Sequence, residues 1–380
     1  MNWPLKSLDE LGFVGRGKSK HRPRDAPHLY NGPYPFVQTG DIKHSNLYIT
    51  EYDQTYSEAG LEQSKLWKKD TLCITIAANI ADTAILGFDA CFPDSVIGFV
   101  PNKEKADVRY IKYLFDILQE RYKKISHGAA QDNLSQEKLL SLKFPIPSLQ
   151  VQTKIADILS AYDSLIENNR RRIQLLEHSA RLLYREWFIY LRFPGHEHVR
   201  IIDGVPEGWE KKSLGGIIEI KKGKNITKET VINGKVPVVA GGLNPAYFHN
   251  KPNTTGPVIT ISASGANAGY VNIYHEDIWA SDCSYISEKS TEHIYYYYSL
   301  LKSKQKEIFG LQKGTAQPHV YPKDLMRLSV VSPPDKILGY FSDTTSHAFI
   351  MIKNLITQNK SLIQARDILL PRLMNGEITV

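Results

Sequence analysis

Two loop motifs, each built around a glycine and each occurring twice, hold the side chains best suited to meeting a polyanion. The first is Arg16-Gly17-Lys18-Ser19-Lys20-His21-Arg22-Pro23-Arg24, with five Lys or Arg residues in nine positions. Its counterpart is Lys221-Lys222-Gly223-Lys224. Cations on short loops neutralise phosphates, release their counterions and position a duplex without reading its sequence. A single charge run is more simply a solvated loop; recurrence at matching places favours the phosphate reading. The second motif is Gly128-Ala129-Ala130-Gln131, matched by Gly314-Thr315-Ala316-Gln317. A glutamine amide can pair bidentately with adenine in the major groove. It can also brace a turn. Because Gln131 and Gln317 are the same residue in both places, they suit a shared structural or backbone contact better than base discrimination. Lys43, Asn79, Asn133, Ser264, Asn267, Lys313, Thr315 and His319 stand in or beside comparable loops and complete the candidate DNA-contacting set.

The chemistry of an enzyme is harder to find. Asn244-Pro245-Ala246-Tyr247 looks like the Asn-Pro-Pro-Tyr of adenine methyltransferases but lacks the strand and glycine-rich donor loop that give that motif meaning. Pro93-Asp94 has no Glu-x-Lys at nuclease spacing, and no phosphate-loop lysine motif occurs. His196 and His198 flank one residue with no further ligands, and Cys73, Cys91 and Cys283 form no Cys-x-x-Cys, so no metal site is expected. Unpaired cysteines and a polar N-terminus without a signal peptide point to the cytoplasm, and no apolar run is long enough to span a bilayer. A net charge of +7 suits nucleic acid before a membrane surface.

The elements that position these motifs are themselves duplicated. Trp3-Pro4-Leu5-Lys6-Ser7-Leu8 is matched by Trp209-Glu210-Lys211-Lys212-Ser213-Leu214, and Gly32–Val37 by Gly234–Val239. Ile74-Thr75-Ile76-Ala77-Ala78 is matched by Ile259-Thr260-Ile261-Ser262-Ala263. After the glutamine motif, Leu139, Leu142 and Pro147 match Leu325, Leu328 and Pro333. The offset is 206 at the tryptophan and 186 at the glutamine, so the second copy is shorter inside by 20 residues. Such a long period means two copies of one domain rather than a solenoid. Each copy opens with short β-type runs, Leu72–Ile76 and Val96–Val100 in one, Val258–Ile261 and Tyr285–Ile286 in the other. A helix over Val108–Lys124 or Thr291–Lys306 then leads to the glutamine motif.

A long helical pattern follows each copy. Its apolar residues include Ile155, Ile158, Leu159, Leu165, Ile166, Ile173 and Leu176 in the first, and Phe341, Phe349, Ile352, Leu355, Ile356 and Leu362 in the second. Steps of three and four make one apolar stripe. About 40 residues at 1.5 Å each give roughly 60 Å, too long for an ordinary core helix, and two such helices pair most simply as an antiparallel coiled coil. Asn169 and Asn359 interrupt the stripes near mid-helix, where a buried asparagine can fix register; the alternative is an exposed side chain. Arg170-Arg171-Arg172 suits a solvated face as well as a partner surface, and Pro371 is expected to end or kink the second helix. Trp187, Phe188, Tyr190 and Phe193 are expected to pack the helix end on the next domain rather than to stack bases.

The ordered set of motifs resembles the specificity subunits of type I restriction–modification systems. It comprises Trp…Ser-Leu, Thr39-Gly40-Asp41-Ile42, the glutamine motif with Asp132-Asn133-Leu134-Ser135, Pro145-Ile146-Pro147-Ser148-Leu149…Gln152, a long helix and then a repeat. Arg185-Glu186-Trp187-Phe188, Arg192-Phe193-Pro194-Gly195 and the tail Leu369–Ile378 are similar to that family as well. The resemblance implies an α+β fold with an internal pseudo-twofold repeat. Residues 1–148 and 209–333 would be two β-rich mixed target-recognition domains. Residues 149–191 and 334–380 would be long antiparallel spacer helices with the C-terminal tail, and 192–208 a linker. It implies a non-catalytic reader of double-stranded DNA with a split, asymmetric target, two methyltransferase subunits docked on it and motor–nuclease restriction subunits joining. S-adenosylmethionine would be bound by the methyltransferase, ATP and magnesium by the restriction subunit, and no cofactor by this chain. Two departures stand out: Asn79–Ala84 lacks the glycines of Ser264–Gly269, and Pro318-His319 replaces the usual Asn-Leu after Gln317. The rival readings are a self-sufficient methylating or cutting enzyme and a pure interaction scaffold.

Overall fold

A computed structural model describes residues 3–76, 82–125, 135–314 and 316–380. The chain divides into two compact units, residues 1–169 with 358–380 and residues 170–357, so the division falls inside both long helices.

In the first unit a five-stranded sheet runs in the order Gly12–Arg16, Val96–Pro101, Leu72–Thr75, Thr83–Leu86, Tyr48–Ile49. Leu72–Thr75 is buried at every position because both faces of the sheet are covered. Successive side chains of a strand point to opposite faces. Accordingly Leu72 and Ile74 pack with Tyr110, Ile111, Leu114, Ile155, Leu159, Leu370 and Leu373, all helical. Cys73 instead meets Trp67, Ala90 and Phe92. A second sheet, Gln54–Tyr56, Tyr30–Phe36, Ala90–Cys91, Leu66–Trp67, contains one parallel step, Phe36 beside Cys91. A two-stranded pairing of Leu5–Lys6 with Phe144–Pro145 closes the unit beside the start of the long helix.

The second unit repeats this topology with one strand fewer in each of the two sheets. Its main sheet runs Lys221–Lys222, Cys283–Ser287, Val258–Ser262, Val271–Tyr274. Ile259 and Ile261 join the cluster of Tyr296, Leu300, Trp187, Trp209 and Phe341, while Val258 joins Val239, Ile278 and Cys283 on the other face. The smaller sheet again has a parallel step, Val239 beside Ala280. Glu210–Ser213 pairs with Ser329–Ser332 as Leu5–Lys6 pairs with Phe144–Pro145. Leu8 and Leu214, the matching leucines of the tryptophan motif, are both fully buried.

The long helices span Leu149–Tyr184 and Asp335–Met374. Within each unit their segments run antiparallel. Asp163 meets Arg366 and Ile166 meets Asn359 in the first, and Ala180 packs on Phe349 and Ile352 in the second. The apolar stripe is narrower than the sequence suggests: Ile166 is buried, but Leu165 and Ile158 face outward. The second helix continues past Pro371 to Met374. Proline forfeits one backbone hydrogen bond. Near a helix end that loss is contained, and the Pro371 carbonyl still accepts the Asn375 N–H at 3.0 Å. The helix ahead of the second glutamine motif is broken into Ile294–Ser303 and Gln305–Phe309. The first long helix ends in a π-helical turn, Arg185–Ile189, and Trp187, Phe188 and Phe193 pack on Trp209 and Phe341.

Candidate DNA interface

The two basic loops leave equivalent edge strands in the same way. In the first unit the Gly17 N–H donates to the Val96 carbonyl at 2.9 Å and the Lys18 N–H to Phe92 at 3.2 Å. In the second the Gly223 N–H donates to Cys283 at 2.8 Å and the Lys224 N–H to Ala280 at 2.9 Å. A Cβ at Gly17 would lie 2.3 Å from the Pro93 carbonyl oxygen, and one at Gly223 would lie 2.1 Å from that of Ser281. Close backbone approach is therefore what requires glycine at both loops, and it places Arg16 opposite Lys222 and Lys18 opposite Lys224 in the repeat.

The individual cations differ in what they are free to do. Arg16 donates to the Asp94 backbone carbonyl, and Arg24 pairs with the Asp94 carboxylate at 2.9 Å. Arg22 donates to the carbonyls of Ser19 and His21 at 2.7 and 2.8 Å. These three arginines shape their own loop. Lys18 and Lys20 are exposed and make no ion pair among the described residues. In the second unit Lys221 pairs with Glu219 at 3.3 Å, leaving Lys222 and Lys224 exposed and without an ion pair among the described residues. Lys43 is exposed in the last turn of the helix Thr39–His44. The Thr-Gly-Asp-Ile motif proves to be that helix's start, with Asp41 accepting the Gln38 N–H at 2.7 Å.

In the second unit the glycine-rich loop and the glutamine motif come together. Gly265 and Gly269 have φ of +80° and +88°, left-handed values that favour glycine. The Gly265 N–H donates to Pro318 and the Val320 N–H to Ala263, each at 3.0 Å. Lys313 and His319 exchange two backbone hydrogen bonds of 2.9 Å, and the turn between them carries Gln317, which is exposed. His319 stacks on Tyr321 with centroids 5.9 Å apart. The Ser264 hydroxyl donates to Asp282, and the Asn267 carbonyl accepts the Tyr270 N–H at 2.9 Å. Lys313 behaves differently from its neighbours. Its ammonium is held by Asp324 at 2.8 Å, and that hydrogen bond keeps the Asp324 carboxyl below the usual range. The lysine's charge is already neutralised, which makes it a brace for the loop. Sequence reasoning overlooked Asp282 and the neighbouring Gly241, whose carbonyl accepts from Ser262 at 3.0 Å. The Gly241-Gly242 pair was the available signal. Asn79, Gln131, Asn133 and Thr315 lie outside the described residues.

On the helices, Asn169 and Asn359 meet. The Asn169 side-chain amide donates to Asn359 Oδ1 and to Gln358 Oε1, both at 3.0 Å, and the Asn359 amide donates to the Ile166 carbonyl at 3.3 Å. Both asparagines are buried, 4% and 8% exposed. Close by, buried Asp163 accepts from Tyr113 and from Arg366, each at 2.5 Å. Burial and the Asp163 carboxylate push the Tyr113 phenol well above its ordinary range, so it stays a donor. This triad had no sequence signature, because its members sit on three separate helices. Arg171 and Arg172 are exposed.

Two stretches, residues 1–178 and 206–361, match the family model described as the type I restriction modification DNA specificity domain. Together they cover most of the chain. The chain belongs to the type I restriction–modification specificity-subunit family. It is 27% identical to the type I restriction enzyme MjaIX specificity subunit of Methanocaldococcus jannaschii, over all of this chain and 94% of that one. It is 23% identical to the HindI specificity subunit of Haemophilus influenzae, over 90% of this chain and 94% of that one. The crystal structure of the type I system S subunit from M. genitalium shares the fold, with a TM-score of 0.60 at 20% identity over 98% of this chain and 96% of that one. Specificity subunits are the non-catalytic, DNA-recognising members of complexes with other restriction–modification subunits. Among the described residues no helix is long and apolar enough to cross a membrane, and no cluster of His, Cys, Asp or Glu could hold a metal.

Proposed function

We propose that this specificity subunit reads a split, asymmetric double-stranded DNA target, one half through each globular part. Residues 1–148 and 209–333 are the target-recognition domains, 149–191 and 334–380 the spacer helices that set the gap between half-sites, and 192–208 the linker. The observation that carries the reading is the pair of basic loops, leaving equivalent strands through equivalent close-packed glycines in two copies of one fold. Lys18, Lys20, Lys222 and Lys224 face phosphates; Ser264, Asn267, Gln317 and His319 form the edge nearest the bases of the second half-site. The two copies differ in sequence at these loops, so the half-sites differ.

The chain itself performs no chemistry. Two methyltransferase subunits, which bind S-adenosylmethionine and methylate adenine, dock on it; restriction subunits that use ATP and magnesium join for cleavage, all in the cytoplasm. A map of methylated adenines in cells carrying the companion methyltransferase, with and without this chain, tests the reading. Methylation at one split, asymmetric sequence only when the chain is present supports it. Unchanged methylation transfers support to the scaffold, and methylation by the purified chain with S-adenosylmethionine to the self-sufficient enzyme.

A further inference from the structure

We infer that Lys65, with Lys18, forms a two-lysine phosphate seat in the first recognition domain, making Lys65 a DNA-positioning residue outside the basic loop itself. The inference rests on the DNA-reading function above. The segment carrying Lys65 is stitched to the basic loop by two hydrogen bonds. The His21 N–H donates to Gln63 Oε1 at 3.1 Å, and the Ser64 hydroxyl donates to the Lys18 carbonyl at 2.9 Å. These bonds hold two lysines from separate loop segments beside one another. Neither makes an ion pair among the described residues. Like charges brought together without a counter-charge disfavour each other, and burial followed by the Lys18 charge lowers the Lys65 ammonium from its usual range. A bound phosphate would supply the missing counter-charge.

The seat has a floor. The Lys65 ammonium lies 3.7 Å from the Trp67 ring centroid and 4.8 Å from that of Phe13, two rings 6.1 Å apart. Phe13 is 56% exposed although it sits on a sheet strand. Gly15, two residues on, leaves room for this: a Cβ there would be 2.8 Å from the Phe13 ring and 3.0 Å from Trp67. The two rings hold the ammonium in place by cation–π attraction, and the half-exposed side chain leaves it within reach of an anion.

Releasing one phosphate contact removes about 0.9 from the slope of log K against log salt, which at roughly 0.15 M salt amounts to about fivefold in affinity. The test uses the full chain assembled with its methyltransferase subunits on the target found by methylation mapping. Lys65→Met and Lys65→Gln keep a side chain of similar length and remove the charge. Both are expected to bind about fivefold more weakly at every sequence tested, with the salt slope reduced by about 0.9, and Lys65→Arg to restore the slope. A melting temperature that falls in both variants with an unchanged slope means a structural lysine and overturns the inference, as does an unchanged slope alone. Failure of the wild-type complex to bind or methylate any target is a different result and removes the DNA-reading function itself.

Discussion

Replacing Asn169 tests whether the asparagine pair is a register device. In Asn169→Ala, Asn359 Oδ1 and Gln358 Oε1 both lose a donor 3.0 Å away. Asn359 is buried, so its oxygen does not regain water, and an unsatisfied buried acceptor costs about 1–3 kcal/mol. Alanine's better helix propensity returns roughly 0.5 kcal/mol. The net loss is about 0.5–2.5 kcal/mol, which for a unit of this size lowers its melting transition by roughly 1–10 °C. The double change Asn169→Leu with Asn359→Leu removes donor and acceptor together and adds apolar surface, so its transition is expected at or above that of the native chain. The double variant should nevertheless lose its single helix alignment. Thermal melting of the full chain reads the first effect, and methylation mapping reads the second as a changed or mixed gap length. An Asn169→Ala chain that melts no lower than the native one refutes the hydrogen-bond reasoning. A double-leucine chain that keeps one unaltered gap refutes the register role.

Other consequences follow from the same structure. Asp163→Ala strips the acceptor from Tyr113 and leaves Arg366, about a quarter exposed, without its buried partner; denaturant melts should show a loss toward the lower end of about 3–5 kcal/mol. Burial, with Lys353 adding to it, lowers His275 from 6.5 to about 4, so the native state holds this ring neutral. Its contribution is fully present above pH 6.5 and is lost as pH falls toward 4, by about 3 kcal/mol in all; His275→Phe should flatten that part of the second unit's stability profile. Lys222→Ala and Lys224→Ala should each weaken binding at all sequences alike and lower the salt slope by about 0.9, leaving the methylated sequence unchanged. A changed sequence would make either lysine a base reader.

Periodicity and repetition made a large part of this molecule legible in advance. The β-type runs Leu72–Thr75 and Val258–Ser262 are strands buried at every position because both faces of their sheets are covered, and the three–four spacing made helices of residues that do pack along one side. The constant offset of 206 from the tryptophan motif through Gly17 and Gly223 identified the equivalent loops without coordinates. Local pattern of that kind depends only on neighbours along the chain, so it survives in the sequence. What each charged side chain does depends on groups distant in sequence, and there only the tertiary structure decides. Lys18 and Lys313 look alike as basic loop residues, yet Asp324 neutralises one, and a second lysine lies beside the other. Asn169 and Asn359 stood out as stripe breakers, but that they bond to each other is a fact of how two helix segments 190 residues apart align. The Tyr113–Asp163–Arg366 triad left no trace in the sequence, because three helices must pack before a buried carboxylate can find its two donors.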